Sequence, residues 1–192
     1  KEIRNLDLFK DISEPNLLAL LDLVALGTIC DIVNIKNFNR VIVKKGLDLI
    51  VQRRNKNISI IIDNSKINFT PTASDLGYIV GPQINAASRL DDSSLASKLL
   101  ITNNQLELEI ISKKLFLINE KRKLVESKIL IHAKKQSEKQ KNNNFILIYD
   151  HNWHHGVLGI VASRIVSLYN KPTFIISFQN KLGTGSGRSI NN

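Results

Sequence analysis

The stretch GTGSGRS, residues 183–189, sets three glycines, a threonine, two serines and one arginine side by side. Ser186 and Ser189 offer hydroxyls, and Arg188 offers a planar fork of donors that fits a phosphate with two hydrogen bonds. Gly183, Gly185 and Gly187 are expected to let the backbone curl so that successive N–H groups converge, a loop suited to a phosphate, a terminal one among them. The spacing matches neither a P-loop nor a dinucleotide fingerprint, and a plain glycine-rich hairpin is the competing reading. A second donor set lies in DHNWHHGVLG, residues 150–159. A turn from strand to helix there leaves N–H groups pointing outward for an anion, with His154 or His155 as an added donor. Histidines in such turns are commonly structural. Trp153 reads either as a stacking surface for a base or as core.

Two further places carry chemistry. In GPQINAASRLDD (81–92), Gly81 and Pro82 suggest a turn. One helical turn beyond it would bring Asn85 and Arg89 to a common face, as amide and guanidinium donors toward a phosphodiester. The alternative is local pairing of Arg89 with Asp91 or Asp92. In LGTICDIV (26–33), Gly27 and Thr28 are expected to end a helix, and Asp31 follows. A carboxylate there faces the negative end of the helix dipole. Buried between Ile29 and Ile32, it would also carry a desolvation cost. A bound cation would remove both penalties; otherwise Asp31 caps a turn. Asp22 is the rival acid, and one acid alone does not make a metal site.

These residues need elements to hold them. SEPNLLALLDLVAL (13–26) has helical leucine spacing, with Ser13 as cap and Pro15 in the first turn. NRVIVKKGLDLIVQRR (39–54) predicts a second helix. ISIIID is open between strand and helix, and TPTASDLGYIVGPQ reads as loop. A short amphipathic helix is expected at 94–102, then a long one from Asn104 to Lys141. Along it Leu108, Ile111, Leu115, Ile118, Val125 and Ile129 make one apolar stripe, which Arg122 interrupts. After the linker KNNN the pattern changes to strand (145–150), helix (156–170) and strand (173–178), a βαβ order that implies a parallel pair.

The net charge is +10 and the isoelectric point about 9.8. Such a balance points to a polyanion partner, or to a lysine- and asparagine-rich surface. The lysines crowded into 121–141 are open to the same two readings. No signal peptide or apolar membrane span is expected. One cysteine, Cys30, excludes an intramolecular disulfide and fits a cytoplasmic setting. The chain holds no methionine and ends on a loop, as expected of a piece of a longer protein.

Five blocks, DLVALGTICDIV, NRVIVKKGL, GPQINAASRLDD, WHHGVLGIVASR and GSGRSI, stand in an order that resembles the RecJ family, single-strand-specific exonucleases of the DHH phosphoesterase superfamily. The resemblance covers almost the whole chain. It implies an α/β fold divided into the C-terminal part of a DHH domain (1–103), a long connecting helix and linker (104–144), and the opening βαβ of a DHH-associated domain (145–192). It implies 5′→3′ hydrolysis of single-stranded DNA in repair and recombination, with Mn²⁺ or Mg²⁺. On the family's motifs Asp31 would be a metal ligand, while Asn85 and Arg89 would lie near the scissile phosphate. Ser186, Gly187 and Arg188 would grip the 5′ phosphate, and His154 would line the DNA cleft. A single-strand-binding protein is a conceivable partner, and the complete enzyme is expected to be monomeric.

Four positions depart from the family pattern: Ser88 for glycine, Gln83 for arginine, Cys30 for alanine and His155 for proline. The family's aspartate-rich and DHH motifs would precede Lys1, so the 192 residues alone are expected to be inactive. Two other readings stay open. One is a DHH phosphodiesterase for short oligonucleotides or cyclic dinucleotides. The other is a nucleic-acid-binding remnant without chemistry.

Overall fold

The computed structural model describes residue 9 and residues 13–67 and 70–190. Contacts group the chain into two compact units, Lys1–Pro82 and Gln83–Asn192.

The first unit is helical. A 3₁₀ turn, Leu17–Leu20, is capped by Asn16 and runs into helix α1, Leu21–Cys30. The helix therefore does not stop at Gly27, as the sequence suggests. Gly27 keeps its N–H in the helical ladder, and Asp31 becomes the C-cap with its own N–H bonded to Gly27 O at 3.0 Å. α2, Asn37–Val51, lies against α1 at Gly46. A Cβ on Gly46 would come within 2.2 Å of Leu21 O and 2.3 Å of the Ala25 Cβ, so only a glycine permits that approach. ISIIID resolves as helix: α3, Lys56–Asn64, is capped by Asn55 and buries Ile58, Ile61 and Ile62 at helical spacing.

The segment expected to be loop is also helical. Thr72 and Asp75 form a reciprocal capping box at Ala73–Asp75. A π-turn, Leu76–Val80, follows and leads into α4, Gly81–Leu90. Pro82 has no N–H to donate, and the widened turn sits just before it, with Gly81 N–H reaching Leu76 O. Gly81 and Pro82 thus lie within helix rather than in a turn.

The second unit joins helices to a sheet. α5 is Ser94–Ile101, and the long helix α6 is Gln105–Glu138, capped by the Asn104 side chain. α6 buries Leu108, Ile111, Leu115, Ile118 and Ile129 along the expected stripe. Strand β1 is Ile146–Asp150, α7 is Leu158–Tyr169, β2 is Thr173–Gln179 and β3 is Leu182–Arg188. The sheet order is β1-β2-β3, with β1 and β2 parallel and β2 and β3 antiparallel. Ile146, Ile148 and Ile175 meet Val157, Val161, Ala162 and Ile165 in one core.

The outer edge of β1 is closed by two side chains from the end of α6 and just beyond it. Gln136 exchanges hydrogen bonds with the backbone of Tyr149, and Gln140 with that of Leu147. Four residues of helix rise about 6 Å and two of strand about 6.6 Å, so the pairs stay in step. An exposed edge is thereby denied to other strands.

Candidate phosphate site in the second unit

β3 decides what the glycine-rich stretch can do. It is an extended strand, not a curled loop, and no glycine among the described residues has positive φ. Its N–H groups do not converge on an anion, and the hairpin reading is the one the fold adopts. The reason lies across the ladder: Gly183, Gly185 and Gly187 pair with Phe178, Ile176 and Phe174. A Cβ on Gly183 or Gly187 would sit 2.9 or 3.0 Å from those rings, and one on Gly185 would sit 2.8 Å from Ile175 O. The glycines make room for large neighbours on one face.

The other face carries Ser186 and Arg188, which alternate onto the same side of the strand. Both reach the start of α7. A Cβ on Gly159 would lie 2.8 Å from Arg188 Nη2 and 3.1 Å from Ser186 Oγ. Arg188 Nη1 donates to Ser186 Oγ at 3.1 Å and to Gly187 O at 2.8 Å, which fixes the guanidinium over the turn. No side chain caps α7 at its N-cap, Val157. Gly187 lies on the Phe174 side, so only its backbone is available on this face.

A 3₁₀ turn, His155–Val157, precedes α7, and His154 is its cap. His154 Nδ1 accepts the Gly156 N–H at 3.1 Å, which makes Nδ1 the unprotonated nitrogen and leaves Nε2–H as donor. Burial, His155 and Lys121 hold its pKa below the ordinary histidine value, in agreement with that tautomer. His155 stacks on it, with centroids 4.9 Å apart. Trp153 is core, 3% exposed, and its carbonyl accepts from Ser177 Oγ at 2.6 Å.

Arg89 joins this group. Its Nη1 donates to Gly156 O at 3.3 Å, and a Cβ on Gly156 would fall 2.0 Å from Arg89 O, so helix and turn touch backbone to backbone. Local pairing of Arg89 is not what the fold uses. Asp91 pairs with Lys114 at 3.6 Å, and Asp92 bonds Ser94. Asn85 is exposed one turn earlier on α4. Gln83 is 3% exposed.

Sequence reasoning missed a charge network close enough to Arg89 to feel it. Arg122, the break in the α6 stripe, donates to Glu126 Oε2 at 2.8 Å and to Asn119 Oδ1 at 3.0 Å. Arg164 of α7 holds the other Glu126 oxygen at 2.5 Å. Burial, outweighing the pull of Glu126, lowers the pKa of Arg122, with Arg89 and Arg164 adding repulsion. One buried carboxylate therefore balances a group of arginines. The interruption of an apolar seam was the available signal. Gly159 left none, because its value depends on what faces it.

Asp31 belongs to the first unit. It is exposed, not buried between Ile29 and Ile32, because Ile32 turns outward and is 91% exposed. The desolvation argument for a cation therefore does not hold. What does hold Asp31 is a Schellman cap: Ile32 N–H bonds Ile29 O and Val33 N–H bonds Thr28 O, with Ile32 left-handed at φ 56°. Asp22 is 4% exposed and bonds the N–H of Leu23 at 2.7 Å. Cys30 is half-buried, and burial, then Asp31, push its thiol up to about 11. Among the described residues no three His, Cys, Asp or Glu side chains gather to hold a metal ion. They do not by themselves fit one.

No family model matches the chain. The single-stranded-DNA-specific exonuclease RecJ of Dickeya dadantii (strain 3937) is 35% identical over 191 residues, 94% of this chain and 33% of that protein. The chain thus spans about a third of the length of the curated relatives it matches. The crystal structure of RecJ in complex with Mn²⁺ from Thermus thermophilus aligns with TM-score 0.83 at 30% identity, covering 95% of this chain and 27% of that one. The corresponding complex with Mg²⁺ aligns equally well, covering 28% of that chain.

Proposed function

Over the segment it spans the chain belongs to the RecJ family, and from that membership we propose that it is part of a single-strand-specific 5′→3′ exonuclease acting in DNA repair and recombination. The observation that carries this reading is the meeting of Ser186 and Arg188 with the first turn of α7 at Gly159. A terminal phosphate placed there gains two kinds of help. Arg188 supplies charge-assisted donors, with Ser186 beside it. The start of α7, whose N-cap Val157 makes no side-chain hydrogen bond, adds the partial positive charge of a helix N-terminus. Arg89 and Asn85, on one face of α4, serve the phosphodiester to be cut, where a guanidinium offsets charge gathering on its oxygens. His154 remains neutral and donates through Nε2.

The relatives bind Mn²⁺ or Mg²⁺. In the proposed enzyme such ions would supply Lewis acidity and an activated water. In this chain the family pattern assigns them Asp31 alone, so the hydrolytic step belongs to the longer protein and the segment's part is to grip and position the strand. The 192 residues by themselves are expected to release no nucleotides; metal-dependent release by the purified chain would overturn that.

The direct test compares a single strand bearing a 5′ phosphate with the same strand bearing a 5′ hydroxyl. Arg188→Ala should weaken binding of the phosphorylated strand about 10- to 150-fold, as loss of charge-assisted hydrogen bonds worth about 1.5–3 kcal/mol implies. Binding of the hydroxyl strand should change far less. Equal losses on both would remove Arg188 from end recognition.

A further inference from the structure

Glu126 is 4% exposed, the one buried carboxylate among the described residues of the second unit. Both its oxygens are taken by guanidinium groups. Oε2 accepts from Arg122 of its own helix at 2.8 Å, and Oε1 from Arg164 of α7 at 2.5 Å. The Arg122 side chain is only 11% exposed and is held a second time by the buried Asn119. The other acid near Arg122, Glu120, is half-exposed and pairs with Lys123 at 2.7 Å. Inside the fold, the charge on Arg122 is therefore offset by Glu126.

α6 also lies against the turn His155–Val157, and that turn offers Gly156 O to Arg89 Nη1 at 3.3 Å. Arg89 comes close enough for its charge to act on Arg122. Two guanidinium groups repel each other, and more strongly where protein replaces water. At 3.3 Å the bond to Gly156 O is longer than the usual 2.7–3.2 Å, so it is a weak tether against that repulsion.

We propose that Glu126 is a positioning residue for Arg89: its charge offsets Arg122, and Arg89 can then stay at Gly156 O and face a strand phosphate. This role rests on the reading of Arg89 as a phosphate contact, but not on Arg188 or on end recognition. It has a consequence opposite in sign to simple attraction. Replacing Glu126 by a neutral residue makes the protein more basic, so long-range attraction alone would tighten binding of a polyanion. If Arg89 is driven from its place, a phosphate contact is lost and binding weakens.

The salt dependence of strand binding separates these effects. The 192-residue chain is titrated against a 3′-labelled single strand bearing a 5′ hydroxyl, by fluorescence anisotropy at a series of salt concentrations. Each phosphate contact on a single strand contributes about −0.7 to the slope of log K against log salt. Arg89→Gln should make the slope shallower by about 0.7, and Glu126→Gln should do the same although it adds a unit of positive charge. In the Arg89→Gln background, Glu126→Gln should change nothing further, because the contact is already gone. Glu126→Gln combined with Arg122→Gln should restore the parent slope, since the repelling charge is removed. Should Glu126→Gln alone fail to fold, Glu126→Gln combined with Arg164→Gln removes one charge of each sign and should show the same shallower slope, whereas Arg164→Gln alone should not. A parent-like or steeper slope in Glu126→Gln, a further loss in the Arg89→Gln background, or no recovery with Arg122→Gln would each overturn the proposal. A slope that changes in Arg89→Gln but not in Glu126→Gln ends the role of Glu126 alone. An unchanged slope in Arg89→Gln ends the role of Arg89 with it, and a parent chain that binds no strand ends the broader reading as well.

Discussion

Gly159 is the second residue of α7, and the space above it is filled by the ends of two side chains from β3. Replacing it by alanine puts a methyl 2.8 Å from Arg188 Nη2 and 3.1 Å from Ser186 Oγ. Arg188 is exposed and Ser186 half-buried, and neither contact is backbone, so both side chains can swing aside at little cost. Alanine is favoured over glycine in a helix interior by up to about 1 kcal/mol, and by less in the first turn. Stability in urea should therefore hold or rise by less than about 1 kcal/mol. Recognition of a 5′ phosphate should fall, because the displaced guanidinium no longer meets the helix start. Losing charge-assisted bonds of about 1.5–3 kcal/mol corresponds to about 10- to 150-fold in affinity. Competition anisotropy with 5′-phosphorylated and 5′-hydroxyl strands measures this directly. Gly156→Ala is the contrasting variant. Its Cβ would lie 2.0 Å from backbone Arg89 O, so the turn itself must move, at a cost of about 1–3 kcal/mol or more. A Gly159→Ala protein that unfolds as readily as Gly156→Ala, or one that keeps its preference for phosphorylated ends, would refute the reasoning.

Three further outcomes are expected. Ile32→Gly should raise stability by roughly 0.5–1 kcal/mol, since it relieves a left-handed β-branched residue whose side chain is 91% exposed; a lowered melting temperature would mean that the cap is unstrained. Glu126→Ala should destabilise by about 3 kcal/mol, because it leaves the half-buried Arg122 without its counter-charge; a loss under about 1 kcal/mol in urea would make the network a surface feature. Cys30, with its thiol raised from 9.0 to about 11, should react slowly with disulfide reagents at about pH 8 and faster as pH climbs toward about 11. The sign of the linkage follows: a raised folded pKa stabilises fully below 9.0, and that contribution is lost as pH rises through about 11. A reaction rate that is flat above about pH 9 would contradict the burial of the thiol.

Several elements are legible in the sequence alone. Leu108, Ile111, Leu115 and Ile118 recur at helical spacing, and the long helix buries all of them. FILIYD, GVLGIVASRIVSLYN and TFIISF announced a strand, a helix and a parallel strand, and the register bears this out. The failures share a cause. Gly27 and Gly81–Pro82 look like breaks on local propensity, yet both lie in helix because packing outweighs a penalty of about 1 kcal/mol per glycine. The π-turn at Leu76–Val80 accommodates the proline by widening one turn, which no propensity scale encodes.

The candidate site divides the same way. Residue types alone determined that Ser186, Arg188, Arg89 and His154 were donors suited to phosphate, and the α/β order followed from periods of about 3.6 and 2 that depend only on near neighbours along the chain. Only the tertiary structure decided how those donors meet. Glycines that could have curled instead lie straight, because Phe174, Ile176 and Phe178 on the paired strand need their space. Asp31 faces solvent because Ile32 turns outward in a cap. Arg188 reaches α7 because residue 159, far away in sequence, has no side chain to stop it. Helical hydrogen bonds close within four residues and leave their mark on local pattern, whereas strand pairing and side-chain clearance join distant residues and leave none.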